Sequence, residues 1–425
     1  MIWRRIYTCF WQTALPFILL RLFWRSIKSP AYRSAMGERL GFITPLNNTK
    51  PCLWIHAVSL GESIAATPLI RLLLKSGQYH LLITNTTPTG RARIQQEFGE
   101  RVSQAWAPYD MPASIERFLQ RAKPCGLIIM ETELWPNWLA ACRQKKIPSL
   151  LANGRLSASS CRGYQRFSAL SAQMMADINV LTVQTQAHAE RFMSLGAGAE
   201  KIQVLGNIKF DVFLDGAVIS KAQAGKSHLA GRPTLIAGST HEGEDAIILA
   251  AFAHIQKQIP NALLILVPRH PERFDAVAAL IKSLGFNLAR RAQDNLPNLQ
   301  HQVFLGDTLG ELIFLYGLAD VAFIGGSLIP RGGHNMLEAA LWGIPLSTGP
   351  FMDNFQQLNE DLIACGALTT VNSAEALAAF FLNCQNNEAI AQKIGKAGRD
   401  YLVGNQGALD KIYSRLVNLL ANQPR

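Results

Sequence analysis

Short apolar runs that stop abruptly and give way to helix-length segments recur along this chain, and that alternation limits its fold more than any other feature. Cys52–Ile55, Leu81–Thr84, Leu127–Met130, Ser149–Ala152 and Val180–Val183 read as buried strands. Between them, segments such as Ile64–Lys75 and Trp135–Gln144 have helical length and spacing. Strands that are apolar on both faces and separated by helices imply a parallel sheet covered on both sides. From residue 211 to 232 the strand signals stop and small and polar residues dominate, which reads as a linker. The alternation then restarts with Thr234–Ala237, Ala262–Val267, Val303–Leu305, Val321–Ile324 and Ile344–Ser347. Helical segments such as Gly310–Tyr316 and Asn335–Trp342 fall between these runs. The expectation is an α/β chain of two Rossmann-like, doubly wound parallel-sheet domains facing a central cleft, with ligands beyond the carboxyl ends of the strands.

The 425 residues and the 49% apolar content are enough for two such cores. The formal charge of +11 is concentrated at the start. Residues 1–41 hold Arg4, Arg5, Arg21, Arg25, Lys28, Arg33 and Arg39 against Glu38 alone. The same segment carries Trp3, Trp11 and Trp24 and an apolar stretch from Ala14 to Trp24, interrupted by Arg21 and expected to bend at Pro16. That stretch is short of the roughly 20 apolar residues a span needs. Aromatic residues among arginines instead suit a helix lying in the interface of an anionic leaflet. The expected division is therefore an anchor over 1–41, a first domain over 42–210, a linker over 211–232 and a second domain over 233–425. Seven cysteines without a CxxC pair argue against a disulfide framework or a zinc site. Nucleic acid is not expected as a partner, since no basic run is interleaved with stacking aromatics.

The residues able to carry chemistry fall at the ends of the expected strands. His56-Ala57-Val58-Ser59-Leu60-Gly61-Glu62 places Glu62 in the first turn of a helix, where a carboxylate can take a proton from an attacking hydroxyl. The macrodipole alone also favours an acid there. Glu131 and Glu133 follow the third strand run, just before Trp135-Pro136 opens a helix. Lys209, near the end of the first domain, is a candidate partner for them, though a lone lysine is more often simply solvated.

Three clusters in the second domain have a different character. Gly238–Glu244 leaves a strand and starts a helix, so its backbone N–H groups can approach a phosphate. Arg269 and His270 follow a strand, and an arginine can hold an anion through two donors. Gly325-Gly326-Ser327 and Arg331–Glu338 form a glycine-rich exit into a helix, with Glu338 placed to accept from ribose hydroxyls. Each cluster alone is a weak signal, and three in successive strand–helix turns point to a nucleotide. No HExxH, no DxD at a strand end and no GxSxG occurs, so neither a metal site nor a serine hydrolase is expected.

The motifs HAVSLGE (56–62), TPTG (87–90), METELWPN (130–137), ANGRLS (152–157), NIKFD (207–211), STHEGE (239–244), LILVPRHPERF (264–274), GDTLGEL (306–312), FIGGSLIPRGGHNMLEAA (323–340) and NQGAL (405–409) together resemble the 3-deoxy-D-manno-octulosonic acid (Kdo) transferases of Gram-negative bacteria. The resemblance covers essentially the whole chain. It implies the GT-B fold and an inverting transfer of Kdo from CMP-Kdo to the disaccharide lipid A precursor, lipid IVA, at the cytoplasmic face of the cell inner membrane. It places Glu62 as general base, with Glu131 and Lys209 stabilising the transition state. It places the nucleotide at Arg269 and His270, at Gly310, Glu311 and Leu312, and at Asn335, Met336, Leu337 and Glu338. CMP-Kdo enters as a substrate, and no cofactor or metal ion is implied. Leu309 and Met336 stand at positions that vary within the family. Two other readings remain open: a lipid-linked transferase of the same fold using a UDP-sugar, and a non-catalytic membrane scaffold that binds nucleotide.

Overall fold

The computed structural model describes residues 2–28, 30–46, 49–294 and 296–421. Two units divide the chain: Met1–Asp211 together with Gln406–Arg425, and Val212–Asn405.

The first unit holds β1 (Cys52–His56), β2 (His80–Asn85), β3 (Ser103–Trp106), β4 (Pro124–Met130), β5 (Ser149–Gly154), β6 (Val180–Val183) and β7 (Ile202–Val204). They form one parallel sheet in the order β3-β2-β1-β4-β5-β6-β7. Alternate residues serve opposite faces, as the strand period of two requires. Leu53, Ile55, Ile128 and Met130 pack on the side of helix Leu60–Ser76, while Trp54, Leu127 and Ile129 pack with Phe118 and Trp138 on the other. The sheet order reverses between β1 and β4, and a crevice opens at such a switch point beyond the carboxyl ends of the two strands.

The second unit repeats the design with β8 (Thr234–Thr240), β9 (Leu263–Pro268), β10 (Leu288–Arg290), β11 (Val303–Leu305), β12 (Val321–Ile324), β13 (Leu346–Thr348) and β14 (Leu368–Thr370). Its parallel order is β10-β11-β9-β8-β12-β13-β14, and the switch point lies between β8 and β12. All ten strands expected from the apolar runs are present. The four that the sequence did not signal, β3, β7, β10 and β14, are the four edge strands. Edge strands bury less, so they need no continuous apolar run: Gln104 and Gln203 are half-buried and Val204 and Thr370 are exposed.

Three boundaries differ from the expectation. The segment 211–232 is not a bare linker, because it contains helix Gly216–His228, which packs on Leu312–Tyr316 within the second unit. Its small, weakly patterned residues hid a helix that buries Ala222 and Gly225. The C-terminal helix Ala408–Ala421 belongs to the first unit rather than the second. Ile412 and Leu416 join its core, and Gly126 of β4 makes room for Leu420: a Cβ there would lie 2.6 Å from the Leu420 side chain. Asp211 clamps the same helix by accepting from the N–H groups of Gly407 and Leu409 at 2.5 and 2.6 Å.

The anchor is also shorter than residues 1–41. One helix runs from Ile2 to Lys28, straight through Pro16, so it is longer than the apolar stretch Ala14–Trp24. Residues 36–41 already belong to the body. Glu38 accepts from the Trp106 N–H at 2.8 Å and pairs with Arg91 at 3.0 Å. Arg39 is buried over the Trp106 ring and donates to the Thr86 carbonyl, so its charge does not serve the surface.

Candidate active site

In the first unit, the chain leaving β1 turns at Ser59 into helix Leu60–Ser76. Ser59 caps the helix by accepting from the Glu62 N–H, and the Glu62 carboxylate reaches back to accept from the Val58 N–H at 2.7 Å. This reciprocal arrangement is a capping box, which by itself is a structural task. Its surroundings give Glu62 more than that. β4 ends at Met130, and Glu131 follows with φ +56°, held there by its own N–H to the Ala152 carbonyl at 2.9 Å. Glu62, Glu131, Thr132, Glu133, Arg155, Ser157 and Ser160 line one cavity of about 240 Å³ beyond the ends of β1 and β4.

Three carboxyls in one half-buried cavity cannot all ionise freely. Burial pushes the Glu62 carboxyl up to about 7, and the charges of Glu133 and Glu131 add to the effect. Burial also raises Glu131, opposed by the cations of Arg155 and Lys209. The Arg155 guanidinium stands 3.9 Å from Glu131 Oε2. Lys209 lies on the short turn Ile208–Phe210 after β7, with its ammonium 5.0 Å from the Phe210 ring centre, and acts on Glu131 through space. Sequence reasoning singled out neither Arg155 nor the serines of Ser157 and Ser160. Arg155 and Ser157 were signalled only by membership of a strand exit, ANGRLS, and Ser160 lies just beyond it in helix Ala158–Gln165. His56, by contrast, is a core residue. It is wholly buried, bonded to Thr84 Oγ1 at 2.9 Å and held neutral, with a pKa lowered to about 3 by burial.

The helix Pro136–Gln144 behind this cavity is fixed from two sides. Asp110 accepts from the N–H groups of Asn137 and Trp138 at 3.1 and 3.0 Å, taking over the cap that Trp135 cannot supply. The N-terminal helix meets the same segment: Thr8 and Asn137 share a hydrogen bond, and the Trp11 ring lies 5.9 Å from Tyr109 and 6.0 Å from Trp135.

In the second unit, Arg269 and His270 follow β9 and are exposed. Gly310 and Glu311 lie in the turn after β11, and Leu312 opens helix Leu312–Tyr316. Arg291 grips the Glu311 carboxylate through two donors at 2.9 Å, and Lys221 and Thr308 add bonds of 2.7 and 2.6 Å. Mainly through Arg291, this pulls the Glu311 carboxyl down to about 2. The carboxylate is thus committed within the protein. The Asn335 side chain accepts from the Leu337 N–H at 3.2 Å. Met336 and Leu337 point into the core. Glu338 sits in the first turn of helix Leu337–Ala340, where burial raises its pKa.

The N–H groups of the glycine exit after β12 do not wait for a phosphate. Glu244, fully buried, accepts from Gly326, Ser327 and Leu328 at 2.6, 2.9 and 2.9 Å, and from His241 at 2.9 Å. The charge at the switch point comes instead from side chains. His241 and His334 meet there with Nε2 atoms 2.8 Å apart, and Arg269, His270 and Arg331 act on them.

Comparison with known proteins agrees with this fold. Residues 34–212 match the family model described as 3-deoxy-D-manno-octulosonic-acid transferase (kdotransferase). The chain is 40% identical to the 3-deoxy-D-manno-octulosonic acid transferase of Haemophilus influenzae, over 97% of this chain and 98% of that one. It is 37% identical to the enzyme of the same name from Bordetella pertussis, over 98% and 99%. Among solved structures, a glycosyltransferase from Rickettsia africae superposes with a TM-score of 0.52 at 16% identity, covering 88% of this chain and all of that one, a likeness of fold. Two doubly wound parallel sheets of seven strands each, matched in this way and by relatives along nearly the full length, are those of a GT-B glycosyltransferase, and the chain belongs to the 3-deoxy-D-manno-octulosonic acid transferase family.

Proposed function

We propose that this enzyme transfers Kdo, with inversion, from CMP-Kdo to a hydroxyl of a lipid A precursor at the cytoplasmic face of the inner membrane. The observation that carries the reading is the carboxylate cavity at the β1–β4 switch point, where Glu62 has a pKa of about 7. A base with that pKa is half in its accepting form near neutrality and strong enough to receive a hydroxyl proton. The acceptor oxygen attacks the anomeric carbon of Kdo as its proton passes to Glu62. The bond from that carbon to the phosphate oxygen breaks, and CMP departs with the electron pair. Positive charge developing on the sugar is met by Glu131, whose own charge Arg155 and Lys209 moderate, and by Glu133.

CMP is held by the second unit through Arg269, His270, the 310–312 turn and the 335–338 turn, with Glu338 on the ribose. Arginine and backbone donors neutralise the leaving phosphate, so the reaction needs no metal ion or cofactor. The N-terminal helix supports the membrane assignment. Trp3, Ile6, Phe10, Phe17, Leu20, Trp24 and Ile27 form an exposed stripe along its length, while Thr8 and Trp11 face the protein. A helix with protein on one side and an apolar stripe on the other lies in the membrane plane rather than crossing it, although the stretch Ile2–Ile27 is long and apolar enough to cross.

Nucleotide competition tests the donor. CMP should inhibit transfer, and UDP at the same concentration should not, in buffer containing a chelator. Inhibition by UDP alone would move the enzyme to a UDP-sugar, and loss of activity restored only by a divalent metal would refute the metal-free mechanism.

A further inference from the structure

The switch point of the second sheet holds a device that the reading above leaves unused. His241 follows β8 and His334 follows β12, two strands that pair directly. The imidazole planes differ by only 8°, their centres are 5.0 Å apart and their Nε2 atoms 2.8 Å apart. Those three values mean that the rings meet edge to edge, nitrogen against nitrogen. One Nε2 must therefore donate and the other accept, so the pair shares one proton. His270, after β9, stands edge-on to His241 at 5.2 Å. Gly326 lies beneath the pair with φ +69°, and a Cβ there would come within 3.0 Å of His334 Cδ2 and 3.4 Å of His241 Cδ2. The backbone is thus bare where the two rings approach it.

In doubly wound sheets the backbone N–H groups at this place usually receive the anion. Here those of Gly326, Ser327 and Leu328 are taken by Glu244, so an arriving anion must be met by side chains. We infer that the His241–His334 pair, with His270 and Arg269 beside it, recognises the carboxylate of the transferred sugar, and that the enzyme takes up a proton as the donor binds. Resting on CMP-Kdo as donor, this assigns its second anionic group to the histidine pair, next to the Arg269 and His270 that hold CMP.

The chemistry follows from the shared proton. Adding one proton puts an N–H on both Nε2 atoms, which can then no longer bond to each other. The rings part, and each donates to one oxygen of a carboxylate between them. Burial first, and then the surrounding cations, keep the empty pair from taking that proton. His334 is lowered to about 4 by burial, His241, Arg269 and His270. His241 is lowered by burial, His270, Arg331 and Arg273 against the opposing charge of Glu244. The other acids at the crevice are engaged: Asp245 pairs with Arg273, and Glu272 stands 3.9 Å from His270. An incoming carboxylate reverses this balance, so binding and protonation are linked.

Calorimetry on the full chain in detergent, in two buffers of different ionisation enthalpy at pH 7, reads the linkage directly. CMP-Kdo should take up more protons than CMP, and the methyl ester of CMP-Kdo should behave like CMP. His241→Gln and His334→Gln should each weaken CMP-Kdo at least about 10-fold, as for a lost charge-assisted bond. CMP should stay within about 2-fold in both variants, which also shows that the unit is folded. Equal proton uptake by CMP and CMP-Kdo in the unaltered enzyme overturns the inference while leaving the donor in place, and so does an equal loss of CMP and CMP-Kdo affinity in folded variants. Binding of UDP but not CMP overturns the donor reading itself, and the inference with it.

Discussion

At the scale of single residues, two glutamates show how differently one side chain can be legible. Glu62 was readable because it follows a strand by a few residues and opens a helix. Its elevated pKa was not, because it comes first from burial under the folded surroundings and then from Glu133 and Glu131, which arrive from another strand. In the proposed role of general base it must be ionised to act, so the kcat/KM of the free enzyme should rise with pH through about 7 and level off above it. Glu62→Gln should lose at least about 100-fold in kcat, the usual scale for a missing general base, with CMP affinity unchanged. A flat pH profile with near-normal turnover in the variant would remove Glu62 from that role. Glu244 was misread, since STHEGE looked like a phosphate loop while three of the carboxylate's four N–H partners lie more than 80 residues later. Glu244→Ala leaves four N–H groups without their acceptor and should cost at least about 3 kcal/mol of stability. Thermal unfolding should record the loss, and an unchanged Tm would show that the loop holds itself.

Among the elements, central strands were legible and edge strands were not, for one physical reason. β1, β4 and β9 are flanked by a strand on each side and covered on both faces, so nearly every residue is apolar. β7 and β10 are three residues each, and no periodicity can be read from three residues. The C-terminal helix Ala408–Ala421 has a clear amphipathic pattern, but a pattern does not say which core receives it. Asp211 and Gly126 decide that, and both are remote in sequence. The N-terminal helix combines two jobs. Its outer stripe is apolar and flanked by Arg5, Arg21 and Arg25, and its inner face touches the segment that follows Glu133. Removing residues 1–28 should abolish sedimentation with anionic vesicles. It should also slow transfer to soluble acceptors, because Trp11 no longer supports Trp135. High salt should release the full-length protein only in part, since insertion of Phe17 and Trp24 is not screened. Unchanged vesicle binding after the deletion would place the attachment elsewhere.

For the whole molecule, the sequence conveyed the two-unit plan and the family, because alternation and motifs are local in the chain. It did not convey where the units exchange segments. The chain leaves the first unit at Asp211 and returns at Gln406, so the final helix completes the core that the first strands began. The motifs NIKFD and NQGAL, nearly 200 residues apart, meet because Asp211 of one caps the helix opened by the other. The cavity at β1–β4 and the histidine pair at β8–β12 likewise assemble from strand ends that only the sheet order brings together. The most direct test of the central claim is the mass of the lipid product after purified enzyme is incubated with CMP-Kdo and lipid A precursor. The account predicts a product heavier by one or more Kdo units, formed with release of CMP and absent with Glu62→Gln. A lipid of unchanged mass in the presence of intact, CMP-binding enzyme would contradict it.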